Sequence, residues 1–386
     1  MKRSNSIDFV RGVVMVIMAL DHTRDMLHVS SLTQNPTDLA TTTPLLFFTR
    51  WITHFCAPVF VFLAGTSAYL SSRKQNDVTA TRRFLLQRGI WLVVLEFTLV
   101  NFALWFDIQF RTLLFQVIAA IGFSFIVLAL LLKFSPKVIG IIGVIIILGH
   151  DLLPLIPLSD NSALKVILTP FFGPASFQLT PHLTFVIGYP LIPWLGILLA
   201  GFAAGKLFEL SETERKSACL KIGLAALALF AVIRFSNFYG DPSKWSVQRN
   251  SLFTFLSFLN TSKYPPSLLF TLMTLGAMFL LLSFVENIKN TFSRVITGYG
   301  KVPLFYFLIH LYLIHLLMFV MVFLQGYQWS DLVFGFNFGR PETGSGVELW
   351  VIYLIWLSVA AFLYPLCKWY GNYKASHSEN LWLRYL

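Results

Sequence analysis

Arg11 and His22 stand eleven residues apart in a run that begins at Asp8, continues as an apolar stretch and ends in Asp21-His22-Thr23-Arg24-Asp25-Met26-Leu27-His28. At 3.6 residues per turn, eleven residues make about three whole turns, so the two side chains share one helix face roughly 16 Å apart. Asp8 lies one turn before Arg11 and Asp25 one turn after His22, each within reach of its neighbour. An arginine is suited to holding a phosphate, and a histidine to taking a proton. A carboxylate beside the histidine would fix its tautomer and raise its basicity. Arg50 and His54, spaced i, i+4 in the next apolar run, also share a face and are placed to meet an acceptor or an oxyanion. His310 and His315 are five residues apart and fall on different faces, so they cannot jointly ligate a metal; Glu96 and Asn101 are weaker candidates. For each of these residues taken singly, the competing reading is a structural ion pair or a hydrogen-bonded core histidine.

The elements that carry these residues follow from composition. The 386-residue chain is 56% apolar and 12% charged, with a mean hydropathy of +0.70, against roughly 45–50% apolar and 25% charged in soluble domains. No stretch is polar enough to form a separate water-facing domain, so the sequence reads as one all-α, polytopic membrane domain over residues 1–386. Ten stretches are long and apolar enough to cross a bilayer: 7–29, 45–71, 86–106, 113–132, 138–157, 184–205, 217–235, 266–285, 302–324 and 348–367. Residues 251–259 are apolar but too short to span, which predicts a re-entrant or interfacial piece. Pro190 and Pro193 fall inside the sixth stretch and predict a kinked helix lining a cavity, with ordinary packing as the even alternative. The connections 158–183, 236–265 and 325–347 are long enough to cover an outward-facing site. Cys56, Cys219 and Cys367 are too few and too far apart for a disulfide framework or a metal site and read as small core residues.

The net charge of +11 would suggest nucleic acid in a soluble protein. Here its distribution is topological: with the start placed in the cytoplasm, nineteen Lys and Arg fall on inner segments and eight on outer ones, as the positive-inside rule requires. Both termini are expected to be cytoplasmic and no nucleic-acid partner is implied. The first apolar run carries Asp8 and Arg11 and lacks a small-residue cleavage site, so it is read as a retained span.

A charged group at mid-bilayer costs about 2.5–3.5 kcal/mol on insertion scales, so such residues are functional candidates by default. The distance between Arg11 at the inner mouth and His22 toward the outer end is of the same order as an extended pantetheine arm. A phosphorylated acyl carrier could enter from inside and present its thioester beside His22, which would deprotonate an amine or hydroxyl arriving from outside. The competing reading is a proton- or ion-coupled transporter of a small anionic solute, in which the same charged face carries the cargo; no internal repeat supports it.

Arginine, ten residues, then histidine in a first span resembles the motif of the family 3 membrane acyltransferases. A closer resemblance is to bacterial membrane proteins that share the catalytic domain of heparan-α-glucosaminide N-acetyltransferase. It is carried by residues 7–12, 20–25, 48–65, 190–196, 261–267 and 300–310. The resemblance implies an acyltransferase that takes acetyl from cytosolic acetyl-coenzyme A, as co-substrate and without a metal, and delivers it across the membrane to a sugar amine. The family's catalytic histidine lies after its first span, where His22, His28 or His54 could fill the role. By the same resemblance the acceptor is an envelope sugar or glycolipid, and the setting is the bacterial cytoplasmic (inner) membrane.

The sequence therefore predicts His22 as general base, Asp25 as its orienting partner, and Arg50 with His54 on the acceptor or oxyanion side. Arg11, supported by Asp8, would contact the donor phosphate. Arg24, His28, Lys263, Tyr264 and His310 are the expected acceptor contacts, Lys263 and Tyr264 as a turn closing over it. Association as a homodimer is left open.

Overall fold

The computed structural model describes residues 5–155, 163–286, 288, 290–341, 344–377, 379, 380 and 383. Lys2, Arg3, Lys289 and Arg384 of the inner charge set, and residues 156–162 around the start of the first long outer connection, lie outside the described residues. The chain runs α1 (Asn5–Leu27), α2 (Pro44–Thr53), α3 (Cys56–Gln75) and α4 (Val78–Leu95), which continues through a π-helical turn, Glu96–Val100, into α5 (Asn101–Trp105). Then come β1 (Thr112–Phe115), α6 (Val117–Leu131), α7 (Pro136–Gly149), α8 (Ala163–Phe172), β2 (Ala175–Thr180), β3 (Leu183–Ile187) and α9 (Leu191–Ala204). The remainder is α10 (Glu212–Ser236), α11 (Ser251–Leu259), α12 (Leu268–Val285), α13 (Thr291–Gly300), α14 (Pro303–Leu324) and α15 (Leu349–Ser376).

Each of the ten apolar stretches holds a helix, and among the described residues seven helical segments are long and apolar enough to cross a membrane. The protein is an all-α, multi-pass membrane protein carrying only a small sheet. The other three stretches hold α1, which is interrupted by charge, and the shorter α6 and α7, of 15 and 14 residues. Polar caps set the starts. Thr43 accepts from the Leu46 amide with Pro44 in the first turn of α2, Asp77 accepts from the Thr79 and Ala80 amides, and Ser211 forms a capping box with Glu214. Residues 251–259 form a nine-residue helix, too short to span.

Two expectations are corrected. The sixth stretch is not a kinked helix: residues 183–187 are a strand and α9 begins at Leu191, so Pro190 caps the helix and Pro193 sits in its first turn. Amides there have no intrahelical acceptor, so proline removes no hydrogen bond. The start of the fourth stretch is likewise strand. β1 pairs parallel with β3, Thr112 opposite Thr184, and β2 pairs antiparallel with β3, giving the order β1-β3-β2.

α1 is the hub. It packs against α2, α3, α12, α13, α14 and α15, which surround its charged positions with protein in place of lipid. The approach to α13 is at backbone contact: Gly12 faces the Ile296 carbonyl and Gly300 faces the Asp8 carbonyl, with no room for a Cβ on either. α14 packs against α1 and brings His310 beside His22.

Candidate active site

At the inner end of α1, Arg11 donates to the Leu63 carbonyl at 3.0 Å and to Ser67 Oγ, and pairs with Asp8 at 3.5 Å. The expected Asp8–Arg11 contact is therefore present, and α3 supplies further acceptors. Asp8, Arg11 and Ser67 line a cavity of about 610 Å³ that also takes in Lys74, Arg88, Lys301 and Lys374. The cavity follows α1 from Asp8 and Arg11 up to Met18, where its walls turn apolar with Phe60, Leu92 and Phe307. Met18 is two turns above Arg11 and one turn below His22. The basic lining was read from sequence only as a topology signal; four cations at the ends or inner turns of different helices give no local pattern, and only the fold gathers them.

Beyond Met18, His22 Nδ1 lies 2.7 Å from His310 Nε2 of α14. The two rings are nearly parallel, at 13°, with centroids 4.9 Å apart. His310 Nδ1 in turn lies 2.9 Å from the Tyr306 carbonyl oxygen. Phe307 stands edge-on to His22 at 6.4 Å, between the ring pair and the cavity. His315 is separate: its ring stacks on Phe106 at 4.2 Å, as the five-residue spacing requires.

The expected partner of His22 is elsewhere. Asp25 bonds Arg24 at 2.6 Å and is 40% exposed, while the Nδ1 of His22 is occupied by His310. A guanidinium makes a charge-assisted bond to carboxylate that a neutral imidazole cannot match, and Arg24 lies between two acids. Asp21, to which local spacing assigns no role, is the better-placed carboxylate. It is buried and receives Arg50 Nη1 at 2.7 and 2.6 Å on its two oxygens, Thr53 Oγ1 at 2.9 Å and Arg24 at 3.0 Å. Its position directly before His22 and one turn before Arg24 was the available signal.

His54, at the break between α2 and α3, is buried edge-on to Phe270, and its Nδ1 has no hydrogen-bond partner among the described residues. Lys263 is buried, its ammonium 5.0 Å from the Tyr264 ring. Tyr264 lies 5.4 Å from Tyr189, and both line an open pocket of about 450 Å³ against β2 and β3. Burial pushes the Tyr264 phenol up, but Lys263 and Arg50 outweigh this and hold it below its usual range. His28 lies at the end of α1. Its carbonyl accepts from Arg340 at 3.0 Å and its ring meets Ser30 Oγ at 3.0 Å, tying the end of α1 to the 325–347 connection. Glu96 and Asn101 are structural: Glu96 accepts from the Ala119 amide at the start of α6, and Asn101 bridges Glu96 and Leu114.

Taken along α1 from its N-terminal end, the arrangement is a basic mouth, an apolar channel, a histidine pair and an ion-paired cluster. Such a path can hold a phosphorylated donor with an extended arm and place a base at its tip. Among curated proteins, none matches the chain. A family model described as heparan-alpha-glucosaminide N-acetyltransferase, catalytic, matches residues 3–237, which include Arg11, His22, Arg50 and His54 and stop short of Lys263, Tyr264 and His310. The chain belongs to the heparan-α-glucosaminide N-acetyltransferase catalytic-domain family of membrane acetyltransferases.

Proposed function

We propose that the protein transfers acetyl from cytoplasmic acetyl-coenzyme A to an amine or hydroxyl of an envelope sugar or glycolipid at the outer side of a bacterial cytoplasmic membrane. One observation carries this reading: the cavity with Arg11, Lys74, Arg88, Lys301 and Lys374 in its lining ends one helical turn below His22. Donor phosphates meet the cations, the pantetheine arm follows α1, and the thioester stops beside the histidine. His22 takes the proton of the acceptor amine or hydroxyl as its nitrogen or oxygen bonds to the thioester carbonyl carbon. The tetrahedral oxyanion then collapses, the carbon–sulfur bond breaks, and the coenzyme A thiolate takes the proton back from His22. Arg50, fixed by Asp21, and Lys263 are cations on the acceptor side of this reaction, and stabilise the oxyanion or hold the acceptor. Tyr264 and Tyr189 border the open pocket through which an acceptor arrives.

The test is transfer of labelled acetyl from acetyl-coenzyme A to amino-sugar acceptors by protein in liposomes. Wild type transfers, and a folded His22→Ala variant does not. Transfer at the wild-type rate by that variant removes His22 from the mechanism. Flux of an unmodified anion with no coenzyme A dependence replaces the enzyme reading with the transporter one.

A further inference from the structure

The pairing of His22 with His310 fixes more than the position of one ring. His310 Nδ1 sits 2.9 Å from the Tyr306 carbonyl oxygen, and a carbonyl oxygen can only accept, so that nitrogen carries a proton. A neutral His310 then has a bare Nε2, which also can only accept. His22 Nδ1, 2.7 Å away, must therefore be the donor. In a neutral imidazole this leaves His22 Nε2 without a proton. Ring geometry agrees: parallel planes with centroids 4.9 Å apart and nitrogens 2.7 Å apart describe an edge-to-edge bond in the common plane, not a face-to-face stack.

The surroundings favour the neutral form of His310. It is fully buried, with the Tyr306 ring at 5.3 Å and the Phe307 ring at 5.7 Å, and none of its contacts among the described residues is a carboxylate. A charge there would be uncompensated, and burying an unpaired charge is costly. His22 is only partly buried, so the ring is not sealed off as His310 is.

We infer that His310 is a positioning residue that holds His22 in the tautomer with a proton on Nδ1 and a bare Nε2, so that Nε2 is the atom that accepts the acceptor's proton. This rests on the proposed role of His22 as the base. The relay replaces the carboxylate that orients histidine in a hydrolytic triad with a neutral imidazole anchored on a backbone carbonyl. When His22 becomes an imidazolium, its Nδ1–H is already bonded and needs no reorientation. A neutral imidazole in water prefers its proton on Nε2, so without His310 the base nitrogen is blocked in most molecules.

The experiment combines nitrogen NMR and kinetics on full-length protein labelled with ¹⁵N-histidine. Comparison with His22→Asn assigns the His22 signals among the eight histidines. Wild type is expected to show His22 protonated at Nδ1 and bare at Nε2. His310→Gln puts an amide oxygen where Nε2 was and keeps the acceptor; His310→Met keeps the bulk and removes it. The expected result is that the Gln variant retains the tautomer and a kcat within about tenfold of wild type. The Met variant redistributes the tautomer and loses about 100-fold or more in kcat, the scale of a lost proton transfer, with donor KM changed by less than about twofold. A wild-type spectrum with His22 protonated at Nε2, a Met variant with wild-type kcat, or a Gln variant that falls as far as Met overturns the inference. If wild type transfers no acetyl at all, the function reading fails, while the wild-type spectrum still decides the tautomer.

Discussion

Gly12→Ala sets local propensity against tertiary contact. In a helix interior alanine is favoured over glycine by about 1 kcal/mol, so helix propensity alone predicts a stabilised protein. The structure predicts the reverse. A Cβ at position 12 would lie 1.9 Å from the Ile296 carbonyl oxygen and 2.7 Å from its carbonyl carbon. Both are backbone atoms of α13 and cannot rotate aside. Reaching ordinary contact requires α1 and α13 to part by more than about 1 Å, and such overpacking costs about 1–3 kcal/mol. α1 also carries Arg11 and His22, and His22 depends on a 2.7 Å contact to α14. A displacement of about 1 Å at a catalytic group costs about 100-fold in rate. The assay is thermal unfolding in detergent alongside acetyl transfer from acetyl-coenzyme A. We expect a lower Tm and a rate reduced by one to two orders of magnitude. A variant as stable and as active as wild type would refute the claim that this crossing sets the site geometry.

Two further substitutions probe the charge arrangement. Asp21→Asn leaves Arg50 and Arg24 short of their shared carboxylate, and the loss of one partner from a buried pair costs about 3–5 kcal/mol. A large fall in Tm is expected, with part of it recovered in the Asp21→Asn, Arg50→Met double variant; equal Tm for Asp21→Asn and wild type contradicts it. In the loop after α5, Asp107 accepts from Arg111 Nε at 2.8 Å and from the Gln109 and Arg111 amides at 3.1 and 3.2 Å. Burial pushes its carboxyl up, but these bonds outweigh burial and hold it below the usual range. A lowered native value means stabilisation that is complete above the ordinary carboxylate value near about 4 and lost as pH falls through the native one. Asp107→Asn should therefore lower Tm at pH 7, and the gap should close in acid. A gap that is unchanged or wider at low pH contradicts the assignment.

Much of the fold is legible in residue order because spanning helices are long apolar runs with caps at their ends. The ten stretches, the short helix at Ser251 and the shared face of Arg11 and His22 all follow from period and length. The sheet was not legible. Residues 112–115 and 183–187 are as apolar as the helices they precede, and only their pairing with each other reveals strand. Pro190 and Pro193 were visible, but whether a proline kinks a helix or starts one depends on where the helix begins. Local spacing also pointed to the wrong partner for His22. Asp25 is three residues away and His310 is 288 away, and a pairing made by two helices far apart in sequence leaves no periodic trace. Asp21 with Arg50 is hidden for the same reason, as is the basic mouth drawn from α1, α3, α4 and α15 and the short link between α13 and α14.

The basic mouth and apolar walls of the cavity beside α1 suit a coenzyme A thioester. The most direct test is calorimetric binding of acetyl-coenzyme A to detergent-purified protein, with dephospho-coenzyme A and raised salt as comparisons. Saturable binding is expected, weakening on loss of the phosphate and as ionic strength rises, because the mouth contacts are charge–charge. Loss of binding is also expected in Ala64→Trp, which fills the channel wall. No binding to folded wild-type protein, or binding indifferent to the phosphate, to salt and to Ala64→Trp, would contradict a thioester site there.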